Sequence, residues 1–281
     1  MNFKDCIDSY PFILMEGALG ERLKREFDLD ISGTVAMADL IYQQKGRMAL
    51  KTLWNEYMDI AHRYQLPFLA TTPTRRANKE RVYMAGYNES IITDNVDFLR
   101  TIKETANVNM YIGGLMGCKG DAYTSERALN QEEAIAFHSW QASLFKSVGV
   151  DFLYAGIMPV LSEAIGMAVA MSDTDIPYII SFTIQRNGKL IDGHTINDAI
   201  YYIDNHVSNK PVCYMTNCVH PDIVYEALSH KFNQTQMVKN RFWGIQANTS
   251  RLSYKELDGA KNLRTSSAVD LGKAILRLKS E

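Results

Sequence analysis

The chain has 281 residues, of which 46% are hydrophobic and 22% are charged, and its formal net charge is −2. This composition is typical of a globular protein, and the small net charge argues against a nucleic-acid or membrane-surface binder. The N-terminus has no signal-peptide core and no apolar run approaches the ~20 residues of a membrane span, so we expect a cytoplasmic protein.

Short apolar runs alternate along the chain with segments of helical periodicity. The predicted elements are, in order, a strand at 12–15, a helical turn at 21–27, a long or broken helix within 36–64, a strand at 67–73, a helix at 90–107, a strand at 109–115, a helix at 131–148, a strand at 151–157, a helix at 162–171 with Ser162 as N-cap, a strand at 178–184, a helix capped by Thr195 and ending at Val207, a strand at 211–218, a helix within 220–232, a strand at 241–248 and a helix at 268–279. This alternation predicts an α/β protein whose parallel sheet is covered by helices on both sides.

Two closures of such a sheet fit the pattern, an open doubly wound sheet and a (β/α)8 TIM barrel. No Gly-x-Gly-x-x-Gly follows the first strand, which argues against a dinucleotide-binding sheet. Small and polar residues end nearly every strand, as in barrels that build active sites there, so we favour the barrel. Only seven strands are found, and the sequence stops at 278–281, where an eighth is expected. No linker divides residues 1–281, which we treat as one domain.

Cys218, at the end of the sixth strand, is the strongest single candidate for chemistry. As a thiolate it could bind a zinc ion that keeps one position open for substrate, whereas the alternative is a buried cysteine that packs as a small hydrophobe. Cys213 lies five residues earlier, on the other face of the strand, and we give it the packing role. His220 is a further possible ligand. Four cysteines in a chain of this length do not form a disulfide framework.

Two carboxylates, Glu16 and Glu163, closely follow the first and fourth strands and are expected on the same rim of the sheet. Either could hold a substrate ammonium group by a charge-assisted hydrogen bond. The alternative for Glu163 is a first-turn residue favoured by the helix dipole. Glycines at 113–114 and in Gly117-x-x-Gly120 would let the backbone approach a ligand closely.

Several segments, in one order from residue 12 to about 260, resemble the homocysteine S-methyltransferase family, a zinc-dependent group of (β/α)8 barrels. The matching segments are 15–20, 71–74, 113–117, 162–164, 180–182 with 190–193, 217–218 and 246–249. The resemblance implies that Cys218 is the first zinc ligand and that Glu16 and Glu163 contact the amino group of homocysteine. It also places Thr71, Thr72 and Asn217 among the substrate-binding residues.

The sequence departs from the family pattern in two places. Cys118 follows Gly117 where the family usually has proline, and a ligand role for its thiol is the minority option. The family takes two further zinc ligands from a Gly-Gly-Cys-Cys motif on the eighth strand, which this sequence lacks. We therefore expect a chain that is truncated relative to its family, or a natural variant without the full zinc site.

The implied function is zinc-dependent transfer of a methyl group from an unidentified small-molecule donor to the thiol of homocysteine, giving methionine. The incomplete zinc site leaves open whether this chain is active. Two other hypotheses remain: a barrel lyase or aldolase, for which only Lys119 could serve as the rim lysine, and a non-catalytic barrel that binds an amino acid without zinc.

Overall fold

The computed structural model describes residues 1–257 and 262–279, and its strands lie where the sequence predicts them. The strands are β1 (Leu14–Met15), β2 (Phe68–Thr71), β3 (Met110–Gly117), β4 (Phe152–Met158), β5 (Tyr178–Phe182), β6 (Cys213–Val219) and β7 (Phe242–Ala247). The helices are α1 (Phe3–Ser9), α2 (Leu19–Glu26), α3 (Gln44–Arg63), α4 (Lys79–Met84), α5 (Ser90–Lys103), α6 (Gln131–Val148), α7 (Leu161–Ser172), α8 (Ile196–His206), α9 (Pro221–Ser229), α10 (Gln236–Arg241), α11 (Tyr254–Leu257) and α12 (Ala268–Lys279). A 3-10 turn at Ala38–Tyr42 precedes α3, so the predicted long helix is a broken one.

The strands form one sheet in the order β1 to β7, so each strand lies beside its neighbours in sequence. The pairs β1–β2, β2–β3, β5–β6 and β6–β7 are parallel. This is the strand order of a TIM barrel, and the α/β class predicted from the sequence is confirmed. The part of the chain that the structure describes contains no eighth strand, and residues 280–281 of the expected segment lie outside it. Within the same part, no helix is both long and apolar enough to cross a bilayer.

Contacts divide the chain into two compact units, and the expectation of a single domain stays a prediction. The first unit contains residues 1–116, 136–154 and 173–178, and the second contains 117–135, 155–172 and 179–281. In the first unit, Trp54 of α3 is fully buried and meets Phe98 of α5 edge to face, with ring centroids 6.1 Å apart. Aromatic packing of this kind anchors the helices that cover the sheet.

Two helix starts in the second unit test the predicted caps. Thr195 caps α8 as predicted, in a capping box with Asp198. Ser162 does not cap α7, because it lies inside the helix and its hydroxyl donates to the Leu129 carbonyl at 2.8 Å. The Leu161 N–H instead donates to the carboxylate of Asp192 at 2.6 Å. Because this acceptor lies 31 residues away along the chain, the local sequence pattern could not predict it.

A mostly buried ion pair stabilises the second unit where β6 begins. Arg241 donates to both carboxylate oxygens of Asp204, at 3.0 and 3.1 Å, and to the carbonyls of Pro211 and Val212. The Tyr214 hydroxyl also donates to Asp204, at 2.8 Å. Asp204 supplies the negative charge that compensates the Arg241 guanidinium. Removing Asp204 therefore leaves a partly buried positive charge without a counter-charge.

We expect Asp204→Ala to lower the free energy of unfolding by about 2 kcal/mol, less than for a fully buried pair because both side chains keep some solvent contact. Urea denaturation measures the change. The matched control is Glu226→Ala, which breaks the exposed pair with Arg186 and should cost about 0.5 kcal/mol. Equal losses in the two variants would contradict the structural role of the Asp204 pair.

Candidate functional site

Glu16 is a buried carboxyl group directly after β1, with only 3% of its surface exposed. Its Oε1 accepts a hydrogen bond from the Thr71 N–H at 2.9 Å and another from the Thr71 hydroxyl. Burial raises the pKa of Glu16 from 4.5 to about 7, because desolvation outweighs the Thr71 hydrogen bonds. A carboxyl group in this state gains most from a cationic partner, since an ammonium group favours its charged form.

Threonine hydroxyl groups at and just after the end of β2 hold the strand ends of the first unit together. Thr71 hydrogen-bonds to Glu16, and the Thr72 hydroxyl accepts the Leu115 N–H at 3.1 Å and shares a 2.7 Å hydrogen bond with Thr74. The Thr74 hydroxyl in turn donates to the Leu115 carbonyl at 2.8 Å. Thr71 and Thr72, both predicted to bind substrate, therefore orient Glu16 and the β2 and β3 ends in this structure.

Glu163, in the first turn of α7, is fully buried and clamps a loop of the second unit. Its Oε1 accepts the Lys119 N–H at 2.7 Å and its Oε2 accepts the Leu129 N–H at 3.4 Å. The carboxylate thus ties both ends of the loop 119–129. Lys119, the lysine that a lyase would require, contributes its backbone to this contact.

The glycines within β3 and in the loop 119–129 make close packing contacts. A Cβ on Gly113 would enter the ring of Phe152, and a Cβ on Gly114 would enter the ring of Phe145. A Cβ on Gly120 would collide with the backbone carbonyl of Glu126. Protein atoms therefore fill the space that a side chain would take at all three positions. Close approach of a ligand to these glycines stays a prediction.

Cys218 is half-buried and lies in a β-bulge at the end of β6. Asn217 pairs with Gln246 and Val219 with Ala247, so Cys218 is an extra residue opposite the β7 ladder. Its φ is +60°, in the left-handed region that residues with a Cβ rarely adopt. The bulge therefore gives the thiol a direction that a regular strand would not give it.

Asn217 is buried beside this bulge and joins three neighbouring strands. Its Oδ1 accepts the Ser181 hydroxyl and, at 3.3 Å, the Ile157 N–H, and its Nδ2 donates to Oε1 of Gln246. Sequence reasoning did not give Ser181, Gln246 or Ile157 a role. Their position at strand ends was the available signal, but only the fold shows that one amide connects them.

His220 and the cysteines Cys118 and Cys213 have local structural roles. His220 caps α9, where its Nδ1 accepts the Asp222 N–H at 3.1 Å, and burial lowers its pKa. Its Nε2 is buried without a hydrogen-bond partner among the described residues. The Cys118 thiol donates to the Gly120 carbonyl, 3.6 Å away. Burial raises the pKa of Cys213 to about 12, which keeps it a protonated thiol and agrees with its predicted packing role.

The described residues do not fit a complete zinc site. Within residues 1–257 and 262–279, no three His, Cys, Asp or Glu side chains form a group that could hold a metal ion. A catalytic zinc ion needs three protein ligands, and Cys218 is the one that the sequence predicted. Metal activation of a substrate thiol therefore cannot be assigned to these residues alone.

Comparison with known proteins gives one consistent result. The family model for homocysteine S-methyltransferase matches residues 13–270. The curated protein homocysteine S-methyltransferase YbgG of Bacillus subtilis (strain 168) is 21% identical over 217 residues, which is 71% of this chain and 67% of that protein. In fold, the chain is similar to crystal structures of the homocysteine methyltransferase MmuM from Escherichia coli. The metallated form has a TM-score of 0.66 at 19% identity, covering 79% of this chain and 80% of that one. The apo form has a TM-score of 0.59 at 18% identity, covering 79% and 78%.

Proposed function

The chain belongs to the homocysteine S-methyltransferase family, and we propose that it binds homocysteine as a methyl acceptor whose thiol becomes the thioether of methionine. The observation that carries the proposal is Glu16, a buried carboxyl group whose pKa of about 7 suits it to pair with the ammonium group of an amino acid. Glu163 is proposed as a second substrate-binding carboxylate, as the family resemblance implies, beside its role in the loop. Thr71 and Thr72 keep Glu16 and the adjacent strand ends in place.

The proposed reaction is a displacement at the methyl carbon. A sulfur–carbon bond forms on homocysteine, the bond between the methyl group and its donor breaks with its electron pair staying on the donor, and the thiol proton is released. The donor is a small molecule with an activated methyl group, on an onium sulfur or a quaternary nitrogen. Holding both substrates in one site would supply a large part of the rate.

We propose that Cys218 is a metal-binding thiolate of this chain, in keeping with the zinc dependence of the family. The described residues supply one thiolate rather than three, so a full zinc site requires ligands beyond them. The second candidate function is a barrel that binds the amino acid without catalysis, and the same lack of a three-ligand group favours it.

Zinc content and homocysteine binding separate these functions. We expect the wild-type chain, equilibrated with excess zinc, to bind more of it than Cys218→Ser and as much as the control Cys118→Ser, as measured by elemental analysis. Homocysteine binding is measured by calorimetry with and without a chelator, and methionine is detected by mass spectrometry with S-methylmethionine, betaine or S-adenosylmethionine as donor.

Each outcome decides one point. Equal zinc binding by Cys218→Ser and the wild type would refute the ligand role of Cys218. Homocysteine binding without methionine formation from any donor would favour the non-catalytic binder. If homocysteine does not bind with or without zinc, the acceptor proposal is wrong.

A further inference from the structure

The bulge at Cys218 interrupts the regular alternation of side chains at the end of β6. In a regular strand, residue 218 would lie on the face of Tyr214 and Thr216, because side chains alternate along a strand. Both of those side chains are completely buried. The bulge moves Val219 into the next paired position, opposite Ala247, and leaves Cys218 half-exposed at the strand end. Cys218 is thus the one residue of the stretch 213–220 that is not buried, and it lies where the strand is irregular.

The backbone next to the bulge is strained at two strand ends. Cys218 and Ile157, the latter in β4, both have a φ of +60°. For a β-branched residue such as isoleucine this conformation is a clear outlier, and strained residues persist only where the surrounding contacts hold them. A specific set of contacts must therefore stabilise these two residues.

The side chain of Asn217 provides such contacts. It precedes Cys218 directly, it accepts the N–H of the strained Ile157, and it hydrogen-bonds to Ser181 in β5 and Gln246 in β7. Asn217 is only 5% exposed, so these hydrogen bonds are shielded from competing water. One amide therefore fixes β4, β5 and β7 around the residue that carries the thiol.

We infer that Asn217 is a positioning residue, whose amide network with Ser181, Ile157 and Gln246 holds the left-handed bulge that directs the Cys218 thiol. This role differs from the substrate contact that the family resemblance implied for Asn217. It rests on the proposed function only in taking Cys218 as the working thiol. Without the network, we expect β6 to regain regular pairing at its end and Cys218 to join the fully buried Tyr214 and Thr216.

The test measures how fast iodoacetamide alkylates Cys218, with the peptide quantified by mass spectrometry at one pH, far below the unfolding temperature. We expect Asn217→Ala to slow the reaction at least tenfold. Ser181→Ala and Gln246→Ala each remove one of the three hydrogen-bond partners and should slow it by a smaller factor. These two milder variants keep the test valid if Asn217→Ala does not fold.

Asn233→Ala is the matched control, because Asn233 is another buried asparagine of the same unit. Its Nδ2 donates to the Gly188 and Ala227 carbonyls at 2.8 and 2.9 Å, and its Oδ1 accepts the Asn197 N–H at 3.2 Å. Its loss should lower the thermal midpoint while Cys218 reacts at the wild-type rate.

Two results would overturn the inference. One is a rate within twofold of wild type in folded Asn217→Ala, or in both milder variants where Asn217→Ala does not fold. The other is equal slowing in Asn233→Ala. The alkylation assay contains neither homocysteine nor metal. Its result therefore does not depend on whether the protein binds homocysteine, and failure of the Asn217 inference can be told apart from failure of the proposed function.

Discussion

Replacing Glu16 with glutamine is expected to weaken homocysteine binding by about 10- to 150-fold at pH 8. The factor follows from the ~1.5–3 kcal/mol that a hydrogen bond to a charged group contributes. Glutamine has the same shape and its Oε1 can still accept both Thr71 hydrogen bonds, so the loss reports the charge alone. Isothermal titration calorimetry with homocysteine measures the affinity of both proteins.

The pH dependence of binding gives a sharper form of this prediction. The ammonium group of homocysteine requires the charged form of Glu16, whose pKa is about 7 in the free protein. Wild-type affinity should therefore level off above pH 7 and fall below it, by up to about tenfold per pH unit, until it reaches the affinity of Glu16→Gln. Glu16→Gln should show no such dependence. Equal affinities at pH 8 would mean that another group holds the ammonium.

The same substitution should have the opposite effect on folding. The folded-state pKa of Glu16 is raised, so the native protein binds the proton more tightly than the unfolded chain between pH 4.5 and about 7. Wild-type stability from this group is thus fully present below pH 4.5, is lost as the pH rises through 7, and is constant above. Over 2.5 pH units the loss amounts to ~3 kcal/mol, which Glu16→Gln should avoid.

Urea denaturation at pH 4.5 and pH 8 compares the two proteins. We expect Glu16→Gln to gain stability relative to wild type as the pH rises. Glu21→Gln is the control, because Glu21 is exposed and its pKa is lowered by the hydrogen bond from Lys24. A carboxylate that costs stability yet strengthens ligand binding is a common arrangement at functional sites.

Apolar runs and turn residues were sufficient to predict the seven strands. Strands β2 to β6 are buried along almost their whole length, and a continuous apolar run is recognisable without long-range information. The more exposed β1 and β7 were found from the same apolar runs. The order of the sheet followed from the alternation with helices. Short helices such as α1 and α4 were missed, because one or two turns carry too little periodicity. The helix caps differ in the same way. The cap of α8 pairs Thr195 with an acid three residues away and was predicted, whereas the first N–H of α7 binds Asp192, 31 residues away in sequence, which was not.

At the site, residue types at strand ends pointed to Glu16, Glu163 and Cys218, but not to what each side chain contacts. The burial that raises the pKa of Glu16 depends on the packing of the whole first unit. The bulge at Cys218 depends on the register between β6 and β7, which one strand's sequence cannot specify. Sequence therefore located the candidate residues, and tertiary contacts determine their chemistry.

Glu163→Ala is expected to open the loop 119–129 without unfolding the rest of the second unit. The substitution leaves the N–H groups of Lys119 and Leu129 without their carboxylate acceptor, and each unsatisfied donor costs about 1–3 kcal/mol. A net loss of ~2 kcal/mol in local stability makes the open state ~30-fold more populated. Trypsin should then cut after Lys119 and Arg127 about 30 times faster, because cleavage follows the open population.

The control for this effect is Glu133→Ala, at the exposed start of α6. Glu133 also accepts a backbone N–H, that of Asn130 at 3.2 Å, but water can replace it there. Glu133→Ala should therefore change the cleavage rate less than threefold. The rate of Glu163→Gln should lie between those of Glu133→Ala and Glu163→Ala, since the glutamine side-chain oxygen can still accept one backbone N–H. Equal rates in Glu163→Ala and wild type would mean that the loop is held by other contacts, such as that of the Thr183 hydroxyl to the Ala122 carbonyl. The Glu163 carboxylate is also proposed to bind substrate. If homocysteine slows tryptic cleavage of the loop in the wild type, ligand binding and loop closure depend on the same residue.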